Sequence, residues 1–245
     1  MSHTIEEITS VLNAERIGDA PAKIDWILTD SRSLCFPEET LFFALKTKRN
    51  DGHKYIAELY NRGVRNFVVT DLPEDMSGFQ NCNFLKVSNT LKSLQRLAAS
   101  HRELFDVPVI GITGSNGKTI VKEWLYQILS PERIIIRSPR SYNSQIGVPL
   151  SVWMMNEHTE LGIFEAGISE MGEMEALKPI IQPTIGVLTN IGGAHQENFT
   201  SLQDKCLEKL QLFKDCDVIV YNGDNELISS CVCLLYTSDA ADEAR

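Results

Sequence analysis

The sequence predicts an α/β protein in two modules: a small mixed α/β module, then a longer one whose mostly parallel sheet is flanked by helices. Three observations carry that expectation. From residue 107 onward, apolar β-branched runs alternate with stretches that repeat at helical spacing, the pattern of a parallel sheet covered by helices. Over residues 1–106 the same two periods occur in shorter, mixed order. Third, Val109-Ile-Gly-Ile-Thr-Gly-Ser-Asn-Gly-Lys-Thr119 reads as a buried strand, a glycine-bearing loop and the start of a helix.

In the first module, Ile5, Ile8, Val11 and Leu12 recur at helical spacing, whereas 24–28, 40–45, 66–70 and 83–87 read as strands. Leu91, Leu94, Leu97, Ala98 and the segment 101–105 predict a connecting helix, and Asp106-Val-Pro108 a hinge. The second module, 107–232, reads as strand 107–113, helix 118–130, strand 133–138, helix 145–155, strand 160–166, helix 172–181, strand 185–191, helix 201–213 and strand 217–222. Sheets of this kind bind ligands at the carboxyl ends of their strands. Chemistry is therefore expected at 113–119, 165–167, 190–195 and 222–225, each just past a strand and each carrying polar or glycine residues.

A hydrophobic share of 43% over 245 residues is enough for one large or two ordinary cores. No apolar run approaches membrane-spanning length, and Met1-Ser-His-Thr-Ile-Glu-Glu lacks the order of a secretion signal, so a cytoplasmic protein without membrane insertion is expected. The net charge of −10 disfavours a general nucleic-acid or anionic-membrane surface, while leaving room for a local basic phosphate pocket. The six cysteines show no paired CxxC clusters, which argues against a zinc site or a disulfide framework.

The loop at Gly114, Ser115, Asn116, Gly117, Lys118 and Thr119 has the residues of a phosphate cradle. Gly114 and Gly117 let the backbone aim N–H groups at phosphate oxygens, and the following helix presents its positive end to the same anion. Lys118 would reach the β- and γ-phosphates of ATP, and the Thr119 hydroxyl would hold Mg2+. The general pattern asks for glycine where Ile112 stands, and a glycine turn with an incidental lysine is the alternative. Glu165 ends an apolar strand, where a carboxylate needs a neutralising partner; a magnesium ion or an ordinary cap or salt bridge would serve. His195 follows a Gly-Gly turn, where a histidine is ordinarily solvated, and Asn190 either orients a ligand or stabilises its own turn.

Thr113-Gly-Ser-Asn-Gly-Lys-Thr119 resembles the TGxNGKT loop of the Mur ligase superfamily, in which the Ile112 departure is normal. Further similar segments follow in order: Asn143-Ser-Gln-Ile-Gly-Val-Pro-Leu150, Glu165-Ala-Gly167, Thr189-Asn-Ile-Gly-Gly-Ala-His195, Glu197-x-Phe199 and Glu208-Lys209-Leu. The Asn143 element is most similar to the branch that joins D-alanyl-D-alanine to a UDP-MurNAc-tripeptide, and Thr29-Asp-Ser-Arg32, Leu41-Phe-Phe-Ala-Leu45 and Asp51-Gly-His53 resemble its UDP-sugar-binding domain. The resemblance covers residues 1 to 232 and implies an ATP-dependent amide ligase of peptidoglycan precursor synthesis, monomeric, with two magnesium ions.

By the same resemblance Glu165 and His195 are metal ligands, and Lys209 carries a CO2 adduct, a carbamate that serves the second metal. A lysine on an amphipathic helix is ordinarily solvated, and Lys205 lies one turn earlier; Lys209-Leu-Gln-Leu-Phe213 fits the family segment better. Asp30, Ser31 and Arg32 are candidates for the UDP diphosphate, with a surface salt bridge as the alternative. Asn143 and Asn190 are candidate substrate contacts, and Asn222 and Asn225 candidate adenine-side residues. Another superfamily ligase, including a folylpolyglutamate synthase-like one, is the nearest rival function.

Cys233-Leu-Leu-Tyr-Thr-Ser-Asp-Ala-Ala-Asp-Glu243 matches the one-frame translation of a transposase-type sequencing adapter. Residues 233–245 are therefore expected to be foreign, the natural protein continuing differently after about Val232; a genuine polar tail is the other reading. The family's C-terminal ligase domain is then absent, the central module is incomplete, and the chain itself is expected to bind nucleotide without completing catalysis. Similarity to bacterial forms fused to an alanine racemase makes a longer parent an expectation too.

Overall fold

The computed structural model describes residues 2–47, 50–193 and 198–242. The chain divides into two compact units, Met1–Ser100 and His101–Arg245, a little before the 106/107 boundary read from sequence. The difference has a local cause. His101 Nε2 bonds the carbonyl of Met155 at 3.0 Å and Arg102 Nε donates to the carbonyl of Ile181 at 3.0 Å, so the end of the connecting helix is already fastened into the second unit.

The first unit contains β1 (His3–Thr4), α1 (Ile5–Leu12), β2 (Glu15–Ile17), β3 (Lys23–Ile24), β4 (Trp26–Leu28), β5 (Thr40–Phe43), α2 (Ile56–Asn61), β6 (Asn66–Val69), β7 (Asn83–Lys86) and most of α3 (Thr90–Arg102). The start of α1 is set by a reciprocal capping box, in which Thr4 Oγ1 accepts from Glu7 N and Glu7 Oε2 from Thr4 N. Five strands form a sheet in the order β2-β7-β6-β5-β4, parallel except for β2 at one edge. The fully buried runs of β5 and β6 fit strands covered on both faces, with Phe42, Phe67 and Phe84 in the core. The segment read as one strand over 24–28 is split at Asp25. The N–H groups of Asp25 and Trp26 both donate to the Glu39 carbonyl, which breaks the ladder at that point.

The second unit holds β8 (Val109–Thr113), α4 (Lys118–Leu129), β9 (Ile135–Arg137), α5 (Gly147–Val152), β10 (Leu161–Glu165), α6 (Glu173–Ile181), β11 (Ile185–Leu188), α7 (Leu202–Leu210), β12 (Val218–Tyr221) and α8 (Glu226–Asp242). Its sheet is parallel throughout, in the order β12-β11-β8-β10-β9, so every described strand sends its carboxyl end to the same side. β8 lies in the middle, and β8 and β10 are buried at every position. Ile110, Ile112, Leu161 and Ile163 pack against Val121, Leu125 and Leu129 of α4. The other apolar stripe of α4 faces outward: Ile120, Trp124 and Ile128 are 57%, 63% and 71% exposed. α8 packs on α7 and stays helical across position 233, where the foreign tail was expected to begin. Among the described residues no helix is long and apolar enough to cross a membrane.

Candidate functional site

β8 delivers Thr113 to the carboxyl edge of the sheet, and the chain then curls through residues 114–117 before α4 begins at Lys118. Gly114 (φ 140°) and Gly117 (φ 82°) both take backbone conformations that L side chains rarely adopt. A Cβ on Gly114 would also lie 2.0 Å from Thr189 Oγ1, so space as well as torsion demands glycine there. The loop is held from the side by the residues that follow β11. Ser115 N donates to Asn190 O at 2.8 Å, Asn116 N to Asn190 Oδ1 at 2.9 Å, Gly192 N to Ser115 Oγ at 2.9 Å, and Thr189 Oγ1 to Asn116 O at 2.6 Å. Two loop N–H groups are thereby committed within the protein, leaving the first N–H groups of α4, which have no intrahelical partners, to face an anion. Lys118 Nζ folds back to donate to Gly114 O at 2.9 Å.

On the β10 side of the loop stands Glu165, fully buried. Its Oε2 accepts from Thr119 Oγ1 at 3.1 Å and from Asn143 Nδ2 at 3.4 Å, and Ser141 Oγ lies 3.3 Å from Thr119 Oγ1. Its Oε1 lies 3.0 Å from Nζ of Lys122, a contact of charges at an angle that leaves Oε1 without a hydrogen bond. Lys122 is also fully buried; its ammonium donates to Ser138 O at 2.7 Å and to Arg140 O, and it pairs with Glu123 Oε1 at 3.2 Å. Glu165 thus has the salt-bridge partner that sequence offered as the alternative to a metal: one oxygen faces Lys122, the other is turned toward the Thr119 hydroxyl.

On the α7 side two buried lysines outnumber one buried carboxylate, Glu208, whose Oε1 accepts from Met174 N at 3.0 Å. Lys205 and Lys209 are 1% and 2% exposed. Lys205 Nζ donates to Gly192 O at 2.6 Å and lies 5.8 Å from the centre of the Phe199 ring. Burial, then the nearby cations of Lys118 and Lys205, push the Lys209 amine down to about 7. Burial also lowers Lys118, partly offset by Glu165, and lowers Lys205.

The other expected site residues fall in several places. Asn143 joins the site through Glu165. Asn190 bonds the phosphate loop rather than only its own turn. Asn222 and Asn225 follow β12 on the same side of the sheet, where Asn222 Oδ1 accepts from Asp224 N and Asn225 Oδ1 from Ile228 N, capping α8. His195, with Glu197, lies outside the described residues. In the first unit, Asp30 caps a single 3-10 turn, Arg62 holds the carbonyl of the buried Ser31, and the exposed Arg32 grips Asp30 through Nε at 2.9 Å and Nη2 at 2.6 Å. Those hydrogen bonds hold the Asp30 carboxyl down at about 2.

Sequence reasoning missed Lys122, Ser138 and Ser141, and gave Thr189 no role beyond its place in a family-like segment. Lys122 sits one turn after Lys118, on the side of α4 that carries Val121 and Leu125 into the core, a side that only the packing identifies. A cleft of about 830 Å³, lined by Arg102, Asp106, Lys178, Pro183, Thr184 and Asp215 among others, opens at the amino ends of the strands, the end opposite the loop.

A family model, the Mur ligase middle domain, matches residues 112–238. The UDP-N-acetylmuramoyl-tripeptide–D-alanyl-D-alanine ligase of Bacillus subtilis is 33% identical over 214 residues, which cover 84% of this chain and 45% of that relative. The ligase of the same name from Synechocystis is 38% identical over 173 residues, 71% of this chain and 37% of the relative. Among solved structures, MurF from Acinetobacter baumannii superposes with a TM-score of 0.86 at 25% identity, over 97% of this chain and 52% of that one. MurF ligase from Thermotoga maritima in complex with ADP does so with a TM-score of 0.71 at 28% identity, over 81% and 46%. The chain spans about half the length of the relatives it matches. With its loop, strand order and buried carboxylate in place, and with these matches across both units, the chain belongs to the Mur ligase family.

Proposed function

We propose that this chain is the substrate- and nucleotide-binding part of an ATP-dependent ligase that joins D-alanyl-D-alanine to a UDP-MurNAc-tripeptide in the cytoplasm, acting as a monomer. The observation that carries this reading is the arrangement around the phosphate loop: Lys118 with the buried Lys205 and Lys209 on one side, Thr119 with the buried Glu165 on the other. Lys118 would exchange Gly114 O for phosphate oxygens, and the α4 N–H groups would cradle the same anion. Adenine would lie near Asn222 and Asn225. Asp30, Ser31 and Arg32 would engage the UDP diphosphate, and Asn143 and Asn190 the acceptor side.

The donor set fits a hard divalent cation: the Thr119 and Ser141 hydroxyls and one oxygen of Glu165 converge where phosphates would enter. Thr119 and Glu165 would hold one magnesium, and Glu165, His195 and Lys209 a second. Bound there, magnesium would neutralise the charge of the polyphosphate. The tripeptide carboxylate attacks the γ-phosphorus and ADP leaves, giving an acyl phosphate; the D-alanyl-D-alanine amine then adds to the acyl carbon and phosphate departs. Lys118 serves this by steadying phosphoryl charge in a water-poor site. An amine titrating near 7 is largely neutral at physiological pH and can attack CO2, and a carbamate on Lys209 would balance the Lys118 and Lys205 cations.

Calorimetry of ATP with the chain tests the site: Lys118→Ala should weaken binding about 10–100-fold, the worth of one charged hydrogen bond. Unchanged affinity would overturn the assignment. Offering UDP-MurNAc-tripeptide with D-alanyl-D-alanine against tetrahydrofolate with glutamate separates this reading from a folylpolyglutamate synthase-like one. ATP binding with no amide product would favour a nucleotide-binding fragment.

A further inference from the structure

Lys122 is a fully buried charge that this mechanism does not use. Its ammonium touches Glu165 Oε1 at 3.0 Å, Ser138 O at 2.7 Å, Glu123 Oε1 at 3.2 Å and Arg140 O, which is more contacts than its three N–H bonds can serve singly. Arg140 presents its carbonyl from a left-handed backbone (φ 48°), a conformation uncommon for a side-chain-bearing residue. Arg137 completes the group, with Nη2 3.0 Å from Glu123 Oε2. Two carboxylates and two cations therefore form a closed, neutral cluster at the carboxyl ends of β9 and β10. Across the loop, among the described residues, the cations Lys118, Lys205 and Lys209 outnumber the one nearby carboxylate, Glu208.

We infer that Lys122 is a built-in counter-cation: it keeps Glu165 neutralised in the empty site, so that a divalent cation binds there only together with the nucleotide phosphates. The inference rests on reading Glu165 as a metal ligand. Lys122 acts through Glu165 in two ways. It cancels the carboxylate charge that would otherwise draw a free cation, and it faces Oε1, so that a metal would meet Glu165 at Oε2, in place of the Thr119 and Asn143 donors. The arriving polyphosphate brings the negative charge the cluster lacks. Lys122 is thus a positioning residue that couples metal to nucleotide.

Paramagnetic titration of free Mn2+ with the whole chain, without nucleotide, tests this. Lys122→Gln keeps a donor for the Ser138 and Arg140 carbonyls while removing the charge, and it should bind free Mn2+ at least about tenfold more tightly than the wild type. That is the low end of what one neighbouring charge does to a carboxylate. Lys122→Arg should stay within about twofold of the wild type by the same charge argument. Adding Glu165→Gln to Lys122→Gln should erase the gain. A folded Lys122→Gln with wild-type Mn2+ affinity overturns the inference. Should Lys122→Gln unfold in metal-free buffer, refolding on Mn2+ addition supports it and failure to refold overturns it. Glu165→Gln alone keeps the two readings apart. Unchanged Mn-ATP binding there removes the metal role of Glu165 itself, whereas weakened Mn-ATP binding beside an unresponsive Lys122→Gln removes only the role of Lys122.

Discussion

The two flanks of the phosphate loop handle buried charge in opposite ways. Toward β10, Glu165, Lys122, Glu123 and Arg137 close on one another, and their charges cancel. Toward α7, Lys209 sits with Lys118 and Lys205, and their repulsion adds to the cost of burial and outweighs the nearby Glu208 carboxylate. Four lysines, three of them buried, thus serve one loop, yet partners rather than residue type decide what each does. A lysine facing a carboxylate holds the structure together; a lysine facing other lysines stores an unmet demand for an anion.

Substitutions can break or sharpen that contrast. Gly114→Ala removes the frame both flanks share, because a Cβ would strike Thr189 and the φ of 140° would be strained. Backbone strain and overpacking together should cost about 2–6 kcal/mol in urea unfolding, with loss of ATP binding. Lys122→Met leaves Glu165 buried without its cation and should destabilise by about 3–5 kcal/mol. Lys209→Met, the same change on the other flank, should have the opposite sign, raising stability by about 1–3 kcal/mol at pH 6 in CO2-free buffer. A destabilised Lys209→Met would mean that the α7 flank is already balanced.

The pH dependence follows from the same residue. The folded value for Lys209, about 7, is below the ordinary 10.5, so between those values the unfolded chain holds a proton the folded chain has lost. Stability of the wild type should therefore rise with pH across that window, while below about 7 the penalty is complete and constant. The advantage of Lys209→Met should shrink accordingly from pH 7 toward 10, which thermal melts at stepped pH would show. The smallest effect belongs to the exposed pair in the first unit. Arg32→Ala should change stability by less than about 1 kcal/mol, since Arg32 is a solvent-facing partner of Asp30. If UDP-MurNAc-tripeptide affinity falls in this variant while stability holds, the pair is a binding element.

The parallel sheet and the loop were legible because buried strands read as apolar runs and because Gly114, Gly117, Lys118 and Thr119 occur at fixed spacing between a strand and a helix. α2 and β2 were missed, being only six and three residues long, too short to establish a period. In α4 the sequence shows two apolar stripes and no way to choose between them; only packing reveals that Val121, Leu125 and Leu129 face the sheet while Ile120, Trp124 and Ile128 do not. Glu165 could be singled out from its place at a strand end, but its partner Lys122 could not, because the pairing depends on where α4 lies over β10. Asn190 was legible as a turn residue, whereas its grip on Ser115 and Asn116 joins positions more than seventy residues apart.

The outward stripe of α4 gives the chain an optical property. Of its three tryptophans, Trp153 is buried beside His101, Trp26 is half exposed and stacked on Phe36, and Trp124 stands open to solvent on the helix that begins at Lys118. With Trp26 replaced by Phe, iodide should quench one indole and spare the other, leaving Trp124 as a native fluorescent reporter on the phosphate-loop helix.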